Sequence, residues 1–204
     1  MRRWLGIFTL CVLLVGVCSS PAWGAPEVKK IKIPPGQAKK LMFTDSIAAP
    51  WAAATLEKMA GLGIINGYPG HNKVLPDKPV TQLEALIMAM RLFEWPDGEV
   101  ADRLDIAKSN GVPNWAWQSV AKALHFDILP ADMKRFQPNK PATRAEIAEL
   151  IANILNVTGN EKLAELWDDF TDWNIRFSDE WDIAERFRER VRLIARLGIM
   201  KGYP

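Results

Sequence analysis

The sequence predicts an all-α fold of tandem helix-loop-helix units leaning on one another around a shared helical core, the third unit incomplete. Three observations carry this. A seven-residue phrase occurs twice, as Gly63-Ile64-Ile65-Asn66-Gly67-Tyr68-Pro69 and as Gly198-Ile199-Met200-Lys201-Gly202-Tyr203-Pro204, each after an apolar-periodic segment. Thr81-Gln82-Leu83-Glu84 and Thr143-Arg144-Ala145-Glu146 both read as capping boxes that open a helix. Sliding the first unit along the chain brings Trp51 onto Trp115 and Ile64 onto Ile128, and a two-residue shortening then brings Pro76 onto Pro138 and Thr81 onto Thr143. A lone helical hairpin cannot bury its own apolar stripe, so the units must pack on one another.

The elements follow in order. Residues 1–24 read as a secretory signal peptide: Arg2 and Arg3 precede an apolar run from Trp4 to Val17, and Ala22-Trp23-Gly24 supplies a small-x-small cleavage site. The run is short for a bilayer span, so no transmembrane anchor is expected after cleavage. Val17 is too bulky to precede a lipidated Cys18. Residues 25–42, with five lysines around Pro34-Pro35-Gly36, read as a basic extended leader, a solvated linker rather than an arm that grips an anionic polymer.

The first unit spans 43–93. Pro50 suits a helix start, Gly63 a helix stop, and Trp51, Thr55, Leu56, Met59 and Leu62 form an expected core stripe. Its second helix buries Leu83, Ile87, Met90 and Leu92. A connector at 94–111 leads to the second unit at 112–155, with stripes Trp115, Ser119, Val120, Ala123, Phe126 and Ala145, Ala148, Ile151, Leu155. A second connector, 156–176, leads to the truncated third unit, 177–204.

Composition narrows the function classes. Both cysteines, Cys11 and Cys18, lie in the signal peptide, which excludes disulfides and thiolate metal sites from the exported chain. Removing Arg2 and Arg3 takes the formal charge from +2 to zero, a poor balance for holding phosphates, so no nucleic-acid partner is expected. His71 and His125 stand apart, no phosphate-cradling glycine loop occurs, and Asp168-Asp169 reads as a solvated pair rather than a hydrolytic one. No catalytic residue, metal or cofactor is expected.

Taken together, Phe43-Thr44-Asp45, Trp51-Ala52, the phrase from Gly63 to Gly70, Pro76 and a Thr-x-x-Glu cap resemble an S-layer homology domain. Pro113-Asn114-Trp115-Ala116 and Thr143-Arg144-Ala145-Glu146 repeat the pattern, and Phe177-Ser178-Asp179 with the closing phrase begins it again. The resemblance covers residues 43–204 and implies a pseudo-threefold helical bundle. It also implies non-covalent attachment of an exported surface protein to the cell wall, through a secondary cell wall polysaccharide carrying an anionic, pyruvylated sugar, or through peptidoglycan. A helical protein-interaction scaffold, or the targeting part of a larger enzyme continuing beyond residue 204, is the alternative.

The resemblance also marks candidate ligand residues. Arg144, between the cap Thr143 and its partner Glu146, would offer a guanidinium fork to a carboxylate at a helix N-terminus. Gln82 stands where the family places arginine and can donate hydrogen bonds without neutralising charge. Gly67 and Tyr68 could set a phenol at a groove mouth or fold it back as a seal. Trp51 and Trp115 could stack on sugars, although their place at the head of an apolar stripe favours the core, and Asp45 reads first as a turn or cap residue. The units depart from the pattern elsewhere: Asp127-Ile128-Leu129-Pro130 replaces the repeated phrase, no Phe-x-Asp precedes Trp115, and Arg186 or Phe187 stands near the expected third tryptophan.

Overall fold

The structure is a computed structural model that describes residues 27–28, 43–46, 49–68, 70–96, 98, 100–158 and 177–202. The expected signal peptide, most of the basic leader and the second connector beyond residue 158 lie outside the described residues, as do Pro69, Tyr203 and Pro204.

The first unit contributes helices α1 (Pro50–Gly61) and α2 (Gln82–Met90). The first connector is itself partly helical: a two-residue strand β2 (Phe93–Glu94) pairs antiparallel with β1 (Glu27–Val28) of the leader, and α3 (Ala101–Ser109) follows. Only Ala107 of α3 is buried, so its sequence shows little helical periodicity of apolar residues and reads as a linker. The second unit comprises a 3-10 turn (Asn114–Ala116), α4 (Trp117–His125) and α5 (Arg144–Val157). The third supplies a 3-10 turn (Glu180–Asp182) and α6 (Glu185–Arg196). Among the described residues the regular elements are helical but for the two short strands, consistent with an all-α fold.

The three units share one helix stop. After α1, α4 and α6 the chain turns into the left-handed region at Gly63 (φ +69°), Asp127 (φ +55°) and Gly198 (φ +68°). The next N–H then reaches back to the helix, Ile64 to Met59 O (3.0 Å), Ile128 to Ala123 O (2.9 Å) and Ile199 to Ile194 O (3.1 Å), the bond of a Schellman ending. The worn copy at Asp127 therefore keeps the backbone geometry of the intact ones. Both capping boxes also form, with matching distances: Glu84 N–H to Thr81 Oγ1 and Glu146 N–H to Thr143 Oγ1 are each 3.2 Å, and the return bonds to the cap N–H are each 2.8 Å.

Packing converges on α5. The larger core gathers Leu83, Leu86 and Met90 of α2 with Val120 and Leu124 of α4, Ile128, Met133 and, from α5, Ile154. The opposite side of α5 presents Ala148 and Ala152 to Leu193 and Ile194 of α6, a second core in which alanines let two helices approach closely. Two half-buried tryptophans brace the larger core: Trp95 donates its indole N–H to Met90 O (2.7 Å) and Trp117 to Val112 O (2.6 Å).

The expected core stripes need correction. Trp51 is 80% exposed and Trp115 60%, so neither is a core residue, and Thr55 and Leu92 are also exposed. In α1 the buried positions are Ala52 and Ala60, with Leu56 and Met59 half-buried, which puts Trp51 one residue, about 100° of rotation, off the buried face. Trp115 lies in the 3-10 turn ahead of α4, where α-helical periodicity does not apply.

Candidate functional site

The candidate residues fall into three places. Within the first unit, the Asp45 carboxylate accepts Val74 N–H (3.1 Å) and Leu75 N–H (2.8 Å), tying the Phe-Thr-Asp segment to the loop before α2. Those bonds, with a smaller pull from Lys73, outweigh the effect of burial and hold the Asp45 carboxyl below its ordinary pKa. Gly67 sits at φ +70° with Phe43 pressed against it, so closely that a Cβ would lie 2.8 Å from the ring and 2.9 Å from Lys73 O. Tyr68 neither opens into a groove nor enters the core: its hydroxyl donates to Glu84 Oε1 (2.7 Å) and accepts from Lys78 Nζ (2.9 Å). The phenol thereby locks the loop onto the first capping box.

The second place is the junction between the first and second units. Gln82 is 6% exposed and both ends of its amide are used: Oε1 accepts Gln137 N–H (2.8 Å) and Nε2 donates to Glu146 Oε1 (3.0 Å). The first N–H groups of α2 are also taken by the neighbouring unit, Gln82 N–H by Lys140 O (2.8 Å) and Leu83 N–H by Pro138 O (3.2 Å), while Ala142 N–H returns to Val80 O (2.8 Å). The donors that a helix start could offer an anion are consumed by protein. A small hollow of about 260 Å³ remains beside this clasp, lined by Arg135, Phe136, Asn153 and Arg190 among others.

The third place is the junction between the second and third units, a groove of about 700 Å³. Thr143 and Arg144 form one rim at the start of the fourteen-residue helix α5, beside Lys201 of the repeated phrase. Arg144 Nη2 donates to Lys201 O (2.6 Å), which ties the start of α5 to the repeated phrase. Asp179 and Asp182 stand in the lining as well, and Phe187, Val191 and Met200 give it an apolar component. Cations at a capped helix start favour an anion, and the carboxylates can accept hydroxyl protons.

The structure thus brings Thr143 and Arg144 into a groove and joins Gln82 to Glu146 in a clasp. Asp45, Gly67, Tyr68, Trp51 and Trp115 line neither hollow. Residues that sequence reasoning passed over are Lys201, Asp179 and Asp182. The two copies of the repeated phrase differ at Ile65/Met200 and at Asn66/Lys201, and reading the second difference as a charge added at a junction would have found Lys201. Among the described residues no group of three His, Cys, Asp or Glu could hold a metal, and no helix is long and apolar enough to cross a membrane.

Both capping-box carboxyls are held below their ordinary pKa. For Glu84 burial works to raise it, but the Thr81 N–H, the Tyr68 hydroxyl, the Thr81 side chain and Lys78 together outweigh burial. For Glu146 burial is likewise outweighed, by the Thr143 N–H and side chain, the Gln82 amide and Lys140.

Comparison with known proteins gives a consistent result. A model of the S-layer homology domain matches residues 43–86 and 110–148. The amylopullulanase of Thermoanaerobacterium thermosulfurigenes is 27% identical over 157 residues, 76% of this chain and 8% of that protein. Exoglucanase XynX of Acetivibrio thermocellus is 26% identical over 178 residues, 84% of this chain and 15% of that protein. Endo-1,4-beta-xylanase A of Thermoanaerobacterium saccharolyticum is 27% identical over 116 residues, 57% of this chain and 10% of that protein. The chain therefore spans a small part of the length of these curated relatives. No solved structure matches the chain.

Proposed function

Because the chain carries two S-layer homology domains, at residues 43–86 and 110–148, we propose that it anchors an exported protein to the bacterial cell wall by gripping a wall glycan. The ligand in this reading is a secondary cell wall polysaccharide bearing an anionic, pyruvyl-type carboxylate, and the site is the groove between the second and third units. The observation that carries it is the position of Arg144: a guanidinium one residue inside a capped helix, beside Lys201, on the rim of a groove of about 700 Å³. A guanidinium fork matches a carboxylate in two parallel hydrogen bonds, and the helix start adds favourable potential.

Binding here needs no bond making. The chain's own residues hold and orient: Arg144 and Lys201 meet the charge, Thr143 and Glu146 keep the helix start rigid, and the groove carboxylates accept hydroxyl protons. Arg144→Ala should lower retention on purified pyruvylated wall polymer at least tenfold, and chemical removal of pyruvate from the polymer should do the same to the wild-type chain. Equal retention of the variant and the wild type would remove Arg144 from the site. Indifference of the wild type to pyruvate removal would favour peptidoglycan or a protein partner.

A second reading extends the first. Three relatives are named as enzymes, and this chain covers 15% of their length or less, which favours its being the targeting part of a larger surface enzyme.

A further inference from the structure

Five of the tryptophans are among the described residues, and they divide into two kinds. Trp95 and Trp117 are half-buried, with their indole N–H groups bonded to backbone carbonyls. Trp51, Trp115 and Trp181 are exposed, Trp181 the most, at 83%. Leaving so large an apolar ring in water forgoes a substantial gain from burial, so its presentation calls for a reason.

Trp181 differs from the other two in how it is held and where. The Arg188 guanidinium stacks 5.1 Å from the indole, and Arg188 is itself fixed by bonds to Ile183 O (2.9 Å) and Trp181 O (3.5 Å). The turn beneath is pinned from inside, because Glu180 is buried and paired with Arg192 of α6. Its neighbours Asp179, Asp182 and Ile183 all line the groove that carries Arg144. The result is a ring with one face backed by a cation, held on a short pinned turn whose neighbouring residues Asp179 and Asp182 line the groove that Trp181 itself does not line.

We propose that Trp181 is a stacking platform for a pyranose ring of the wall glycan, a subsite separate from the anion position at Arg144. The axial C–H face of a sugar lies on an aromatic ring, and a chain of sugars running from the ring into the groove would meet Asp179 and Asp182 of the same turn as hydrogen-bond acceptors. A flat, uncharged sugar face suits the exposed indole, whereas a peptide partner would require a wider apolar surface than one ring on an acidic turn. The inference rests on the proposed function and adds a neutral sugar contact to its charged one.

Retention on purified pyruvylated wall polysaccharide, measured beside the thermal midpoint, tests the platform. Trp181→Ala should weaken binding about tenfold with the midpoint unchanged, Trp181→Phe should restore most of it, and the Trp181 indole N–H resonance should shift on titration. If Arg144→Ala loses binding while Trp181→Ala holds, the platform is wrong and the anchoring reading stands. If Trp181→Phe binds as poorly as Trp181→Ala, stacking is likewise wrong. If the wild-type chain fails to bind the polymer, the anchoring reading falls and the platform with it.

Discussion

At the scale of single residues, the three matching helix stops allow a comparison within one molecule. Gly63 and Gly198 meet the left-handed turn without a side-chain penalty, while Asp127 adopts φ +55° with a Cβ in place. Aspartate tolerates this conformation better than most residues, so the cost is modest. Asp127→Gly should therefore raise stability, by about 0.5 kcal/mol in urea unfolding, with the slope of the transition unchanged. A loss of stability would mean that the aspartate side chain supports the turn in some other way. That stop was legible as an alignment of Ile64 with Ile128, because the isoleucine after the turn is buried in both units and cannot drift. Trp51 and Trp115 were misread because a large aromatic at the head of an apolar stripe looks like its first member, whereas the small residue beside each one, Ala52 or Ala116, is the one that goes inside.

At the scale of elements, the starts of α2 and α5 were fully legible, since a capping box is a local pattern whose two hydrogen bonds depend on four consecutive residues. What those helix starts do was not legible, because it depends on the chain that comes to lie against each. Gln82 and Arg144 hold the same place in their boxes, yet Gln82 is buried in a clasp with Gln137 and Glu146 and Arg144 lies on a groove. The shared chemistry of the boxes gives a pH prediction. Glu84 and Glu146 have folded-state pKa values depressed below the ordinary 4.5, so each contributes stability that is complete above the unfolded value and lost as pH falls through the folded one. The thermal midpoint should stay flat from pH 7 to about 5.5 and fall below about 4.5. Glu84→Gln keeps an acceptor for the Thr81 N–H but removes the charge, so it should lower the midpoint at pH 7 and flatten its decline in acid. A decline as steep as in the wild type would assign the acid sensitivity to other carboxyls.

At the scale of the whole molecule, α5 joins the two cores, and the proposed site exists only where it meets α6. One side of α5 holds Ile154 against α2 and α4; the other sets Ala148 and Ala152, both fully buried, against Leu193 and Ile194. The helical spacing of α5 and α6 was legible, down to Ala148 in the expected stripe, but the pairing of that stripe with the third unit was not, since it depends on which chain comes to lie against it. A larger side chain at that contact has nowhere to go. Ala152→Leu should force the helices apart at a cost of about 1–3 kcal/mol, borne by the third unit, while Leu86, Leu124 and Ile128 keep the larger core assembled. Proteolysis should then cut first at the arginines of α6, and glycan retention should fall although Arg144 and Trp181 are intact. Should the variant lose stability throughout, with α4 cleaved as early as α6, the two cores would prove to be one cooperative unit, and the groove would be as stable as the fold itself.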